Sequence, residues 1–509
     1  MSTELERRSF LRWGMSAATV AAVGAGTGVG GATARATTAP NWTTLRTAID
    51  GDVVLPGDAG YDQAIRLHQA QFDVIRPQAV VFCESAADVR DTLLFSQDND
   101  LPVAPRSGGH SGGGYSTTTG VVVDVSRIAQ VSVGSGQVTI GAGIKSVDAA
   151  NALASTGLVL PNGTCPTVAA GGFVTGGGIG PITRDYGVAS DGLAAAEVVL
   201  ADGRIVRCSP RENTDLYWAL RGGGGGNFGI VTRYRLRALP VTRLADYAVV
   251  WPISAATEVI GAWQAWLAAL PRGVFAELLV AFPPNGNPVV QASGTATDSQ
   301  ADLETQLNRL TGAIGTAPLA RQVTDDTYQR TMMKVWGCST RTVAQCHTVG
   351  QNPEATLPRG AFGHTRGRFI GRALSDQAIG QIMTAVQQDI RPAQLRVLAL
   401  RAMGGAANAV SRSATAFVHR TSLYNINCVF SLLNPSATDA DRAALLASLN
   451  ATFAAVDPHS NAESFQNFMD PVLADWRQAY YAENYSRLVD TKRRYDPNGF
   501  FRFPQAIGS

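Results

Sequence analysis

Apolar and polar positions change their spacing along this 509-residue chain. From about residue 37 to 240, short β-rich runs alternate with short helical ones. Residues 79–82 (AVVF) read as a buried strand, 85–97 as a helix and 121–125 (VVVDV) as another strand, while 131–140 alternates with period two. Residues 145–155 read as a helix ended by Gly157. Residues 195–200 and 204–208 flank Ala201-Asp202-Gly203, a hairpin turn signal. From Leu244 the pattern changes. Strands are expected at 247–251, 276–282 and 289–294, and helices at 255–269, 301–311, 375–388 and 439–456. After Ser460 aromatics return (Phe465, Phe468, Trp476, Tyr480, Tyr481, Tyr485, Tyr495), as expected of a tail that packs back on the first lobe. The pattern is α+β: a first lobe over 37–240, a second of strands covered by helices over 241–459, and a returning segment over 460–509.

The first 36 residues stand apart. Arg7-Arg8-Ser9-Phe10-Leu11 leads a weakly apolar Ala/Gly/Val run, and Ala34-Arg35-Ala36 is a small-x-small cleavage signature. This reads as a twin-arginine export signal, since the run is too rich in Gly, Ala and Thr for a stable membrane span. It predicts an exported protein with no membrane anchor. Formal charge is +2, and removing 1–36 takes away four arginines and two glutamates, leaving zero. No basic stripe suits a nucleic acid. Six cysteines are too few for a disulfide scaffold, though Cys338 and Cys346 are a candidate bridge. No CxxC or HExxH pattern supports a metal site.

Glycine, at 53 residues, is clustered where chemistry is expected. The first cluster is Pro105-Arg106-Ser107-Gly108-Gly109-His110-Ser111 with Gly112, Gly113, Gly114 and Tyr115. Such a loop exposes consecutive N–H groups that can cradle a pyrophosphate. It is neither a Walker A loop nor a Rossmann fingerprint. The second runs from Gly163-Thr164-Cys165-Pro166-Thr167-Val168 through Gly180 to Gly187 and Asp191. The third places five glycines, 222–226, between Trp218 and Phe228. Taken alone, glycine runs read equally as ordinary turns, but a flexible linker gains nothing from those aromatic flanks.

Together the stretches RSGGHS, NGTCPTVAAGGFVTGGGIGPITRDYGVASD, LYWALRGGGGGNFGIVT and YYAENYSRLVDTKRRYDPNGFF resemble the berberine bridge enzyme-like flavoproteins. The resemblance covers nearly all of the chain after the leader. It implies a two-lobed FAD-binding domain of the PCMH type plus a substrate domain with an antiparallel sheet covered by helices. It further implies FAD bonded to His110 through the flavin 8α carbon and to Cys165 through C6. The remaining FAD contacts it implies are Arg106, Ser107, Gly108, Gly109, Ser111 and Gly114 in the first cluster. The second cluster supplies Val168, Gly171, Gly172, Thr175, Gly176, Gly177, Gly180, Tyr186 and Gly187. Gly229, Ile230, Val231 and Asn484 complete the set. Val168, the position where oxygen-reactive relatives carry a small residue, favours an oxidase over a dehydrogenase.

The implied reaction is hydride transfer from a small-molecule alcohol to FAD, with O2 as acceptor and H2O2 as product. The alcohol is a sugar or a natural-product hydroxyl. An oxidative cyclase and a non-catalytic exported flavin-binding protein are the alternatives. The tyrosine that serves as base in sugar-oxidising relatives is replaced here by Phe465. Tyr481, Tyr480 and Tyr424 are then the leading candidates, with His419 in a substrate-domain strand and Tyr115 and Tyr186 near the flavin.

Overall fold

The computed structural model describes residues 39–134 and 136–509, so the export signal expected over residues 1–36 lies outside the described residues. The first sheet contains β1 (Asp52–Val54), β2 (Ala79–Phe82), β3 (Val103–Arg106) and β4 (Val121–Asp124), in the order β1-β2-β4-β3. β2, β4 and β3 run parallel and β1 antiparallel. Every position of β4 is buried, which is what a continuous VVVD run needs in a strand covered on both faces. The crossover helix Ala86–Asp98 starts at Ser85, whose hydroxyl accepts from the Asp88 N–H at 3.1 Å.

The second sheet is antiparallel and contains β5 (Val131–Gly134), β6 (Gln137–Gly141), β7 (Leu193–Val199), β8 (Ile205–Cys208) and β9 (Ile230–Arg237), in the order β5-β6-β9-β7-β8. The period-two run at 131–140 is a hairpin rather than one strand. Gly136, at φ 72°, reverses the chain where a side chain would be strained. The turn at Ala201-Asp202-Gly203 joins β7 to β8 as expected.

The third sheet has seven antiparallel strands: β10 (Arg243–Pro252), β11 (Val274–Phe282), β12 (Val289–Ala296), β13 (Ala320–Thr327), β14 (Phe362–Ile370), β15 (Gln394–Ala402) and β16 (Tyr424–Leu432). Their order is β13-β10-β12-β11-β15-β16-β14. Side chains alternate between two faces. Leu278, Leu400, Tyr424 and Ile426 face the helices Ala256–Leu267, Asp376–Gln387 and Asp439–Val456 and form one core with Trp251 and Trp263. Glu277, Arg401, Asn425 and Asn427, one residue out of phase, face the other way. His419 precedes β16 in an irregular segment, not in a strand.

The last helices, Trp476–Tyr481 and Tyr485–Tyr495, put Trp476, Tyr480, Tyr481, Leu488 and Tyr495 into the core that also holds Val121, Val123, Trp218 and Phe228. Two arginines tie the glycine clusters to the third sheet. Arg184 donates to the carbonyls of Val274 at 2.8 Å, Leu270 at 2.9 Å and Met403, and Arg420 grips Asp191 at 2.7 and 2.8 Å. Cys338 and Cys346 are bridged, with Cα atoms 5.9 Å apart. Among the described residues no helix is long and apolar enough to cross a membrane, and no cluster of His, Cys, Asp and Glu could hold a metal ion.

Candidate functional site

A cleft of about 2030 Å³, counted to its open mouth, lies between the glycine clusters and the polar face of the third sheet. Its floor begins where β3 ends. Arg106 pairs with the buried carboxylate of Asp124, its register partner on β4, and donates to Ala64 O at 2.8 Å. The loop after it therefore leaves the sheet at a fixed point. Gly108 passes so close to the second cluster that a Cβ would lie 2.7 Å from Ala169 N, and Gly171 so close to the first that its Cβ would lie 2.7 Å from Ser107 Oγ.

This packing brings His110 and Cys165 into one wall. His110 Nε2 is 2.9 Å from Thr167 Oγ1, and the same hydroxyl is 3.7 Å from Cys165 Sγ. His68 stacks on His110 with ring centroids 4.0 Å apart. Burial, then the neighbouring His68 and Lys145, holds His110 well below the usual imidazole range, so its ring is neutral. With Nε2 engaged by a hydroxyl, Nδ1 is the ring nitrogen left for another bond. Burial pushes the Cys165 thiol up.

The cleft suits a long anionic dinucleotide. Glycines from all three clusters line it, and Arg106 keeps a buried Nη1 without a protein partner. A nucleophilic ring nitrogen and a thiol stand in the same wall.

Of the residues singled out from sequence, Arg106, Ser107, Gly108, Gly109, His110, Ser111, Cys165, Val168, Gly171, Gly172, Thr175, Gly229, Ile230 and Val231 line the cleft. Others stand behind it. Gly114 packs on Phe72, Gly177 on Phe417 and Gly180 on the Asn162 carbonyl, and a Cβ on Gly176 would lie 1.6 Å from Asn467 Oδ1. Gly187 adopts φ 92° beside Asp191, Tyr186 packs in a separate apolar cluster, and Asn484 donates to the carbonyls of Arg412 and Thr415.

The three tyrosines put forward as bases lie outside the cleft. Tyr424 is fully buried on the helix-covered face and donates to Gln264 at 2.6 Å, Tyr480 accepts from Asp470 N at 2.8 Å, and Tyr481 donates to Gly223 O at 3.1 Å. Burial raises the pKa of all three hydroxyls. His419 is also buried, between Glu463 at 2.8 Å and Gln466 at 3.0 Å. Tyr115 does line the cleft; burial pushes its pKa up to about 12.

Sequence reasoning missed His68, Arg401, Asn425 and Asn427, which also line the cleft. A signal existed for the two asparagines, since YNINCVF places polar side chains at alternate positions of an apolar strand, whereas Arg401 breaks the pattern of QLRVLALRA.

Two family models match the chain, an FAD binding domain over residues 77–209 and "Berberine and berberine like" over 464–508. The chain is 30% identical over 466 residues to the uncharacterized FAD-linked oxidoreductase YvdP of Bacillus subtilis, covering 91% of this chain and 98% of that one. BBE-like 1 of Physcomitrella patens superimposes with a TM-score of 0.82 at 25% identity, covering 92% of this chain and 98% of that one. A glucooligosaccharide oxidase from Acremonium strictum, described with a 6-S-cysteinyl, 8α-N1-histidyl FAD, shares the fold with a TM-score of 0.80 at 24% identity, over 91% and 98% of the two chains. Fold and cleft define a flavin-dependent oxidoreductase. The chain belongs to the berberine bridge enzyme-like family of FAD-linked oxidoreductases.

Proposed function

We propose that this chain is an oxidase that holds FAD through two covalent bonds, from His110 and Cys165, and takes hydride from the carbon of an alcohol. The observation that carries the reading is the shared wall in which Thr167 lies within reach of both residues. When bound, FAD supplies the two-electron acceptor for the hydride. His110 is neutral and offers Nδ1, in keeping with the N1-histidyl linkage named for the oligosaccharide oxidase. Two anchors fix a ring plane without enclosing it, so the cleft stays open to bulky substrates.

The Arg106–Gly112 loop and Gly224–Val231 offer backbone donors for the pyrophosphate and ribityl chain. Phe173, Ile179, Phe465 and Phe468 form an apolar wall at the substrate end, with the amides of Gln466, Asn467, Asn425 and Asn427 beside it. That composition favours a hydroxyl on a ring system over a simple sugar. Val168 leaves room for dioxygen, which we assign as the final acceptor with hydrogen peroxide as product. The Arg7-Arg8 leader fits export of the folded, loaded protein.

The test is acid denaturation of the purified protein. Yellow pigment that stays with the polypeptide, mapping to peptides containing His110 and Cys165, is the expected result. Each single variant, His110→Ala or Cys165→Ala, keeps the pigment by one bond, and the double variant releases it. Pigment left in the supernatant of the wild-type protein overturns the reading.

A further inference from the structure

Arg401 is an unusual wall residue. It lies on β15, a strand buried at every position, and is itself only 6% exposed. Across the register it faces Glu277 on β11 and Asn425 on β16. Its Nε pairs with Glu277 at 2.7 Å, and its guanidinium sits 5.5 Å over the Phe468 ring. Its Nη1 is buried without a partner, as is Asn427 Oδ1. Nearby, Asn427 donates its amide to Asn425, which in turn donates to Arg368 O. A buried cationic N–H without an acceptor is a destabilising arrangement unless a ligand completes it.

The charge around it points one way. No Asp or Glu is among the described residues that line the cleft. Both guanidiniums that do are paired behind the lining, Arg106 with Asp124 in the floor below the first glycine loop and Arg401 with Glu277, and each keeps one Nη1 without a partner. Arg401 is the cation at the substrate end, beside Phe465, Asn425 and Asn427.

From this arrangement we infer that the substrate carries an oxyanion, a carboxylate or an ionised phenol or enol, seated on the free edge of Arg401, with a substrate hydroxyl offered to Asn427 Oδ1. The inference rests on the reading of this cleft as the flavin site and narrows its substrate class. An oxyanion seated on Arg401 accepts a charge-assisted hydrogen bond that a neutral alcohol lacks, which orients the substrate in the cleft. Glu277, behind the guanidinium, positions it and competes for its charge.

The experiment titrates the purified holoprotein with benzoate, with its uncharged counterparts benzamide and benzyl alcohol, and with 4-cyanophenol above and below its ionisation. Both the visible flavin spectrum and isothermal calorimetry are followed. An anion is expected to perturb the spectrum and bind about tenfold or more tightly than its neutral counterpart, the factor of one charge-assisted bond. Benzoate binding alone names a carboxylate substrate, and cyanophenolate binding alone a phenol or enol.

Arg401→Met should abolish the preference and Arg401→Lys retain part of it. Glu277→Gln should tighten anion binding. A purely structural Glu277–Arg401 pair would instead weaken binding in both directions. No preference for either anion over its neutral counterpart, no binding of either anion, or a preference that survives Arg401→Met overturns the inference. If the protein carries no flavin, the functional reading falls by itself, while calorimetry still decides the anion site.

Discussion

Replacing Lys492 by Met should cost this protein more stability than any surface charge change. Lys492 Nζ spends all three of its donors inside the structure, on Asn227 O at 2.6 Å, Asp496 Oδ2 at 2.6 Å and Phe501 O at 2.7 Å. Burial lowers its pKa and Asp496 opposes that shift. Asp496, 2% exposed, also accepts from the N–H groups of Phe500 and Phe501 at 2.8 and 2.9 Å. Methionine would fill the volume but strand a buried carboxylate and two carbonyls. Breaking one side of a buried pair costs about 3–5 kcal/mol. Adding Asp496→Asn removes the stranded charge and should restore about 1–2 kcal/mol. Asn227 ends the glycine run that walls the cleft, so the local effect is readable. In urea, flavin fluorescence of Lys492→Met should rise at lower denaturant than the near-ultraviolet circular dichroism changes. A loss below about 1 kcal/mol, the range of an exposed pair, refutes the argument. So does a double variant no more stable than the single one.

Further outcomes are expected. The proposed bond from Cys165 makes it a ring substituent, so Cys165→Ala should lower the flavin midpoint potential in a spectroelectrochemical titration, and an unchanged potential contradicts the bicovalent proposal. Asp470 is pushed up by burial, but hydrogen bonds from His364 at 3.1 Å and Arg366 at 2.7 Å hold it below the usual carboxylate range. Its contribution is present above the unfolded value of about 3.9 and lost as pH falls through the folded one, so Asp470→Asn should be less stable at pH 7 and show a shallower acid limb in thermal melts. Opening the Cys338–Cys346 loop with paired Ser substitutions should cost about 2.5 kcal/mol in chemical denaturation, the closure entropy of so short a loop. Tyr424→Phe and Tyr481→Phe should leave the pH profile of turnover unmoved, because both hydroxyls bond inside the core; an altered profile would return them to the chemistry.

What the sequence revealed follows from how local each feature is. His110 and Cys165 stand in loops whose glycines record close backbone approach, and such approaches leave their mark within a few residues. Ser85, Ser375 and Thr438 cap helices that alternation alone placed within a residue or two. The substrate wall was harder to see. Arg401 meets Glu277 and Asn425 only because β15 lies between β11 and β16, an order that pairs residues far apart in the chain. The tyrosines of the tail show the converse. Aromatic clustering correctly announced burial but carried no information on which ring reaches the cleft, and neither Tyr480 nor Tyr481 lines it.

The returning tail completes the cleft. Gln466, Asn467 and Phe503 wall the same cleft as His68 and His110, so the vault for the prosthetic group is assembled from stretches about 350 to 435 positions apart. The cleft therefore has its full lining only once residues 465–503 have folded back onto the first lobe, so loss of that packing opens the compartment from the side farthest along the chain.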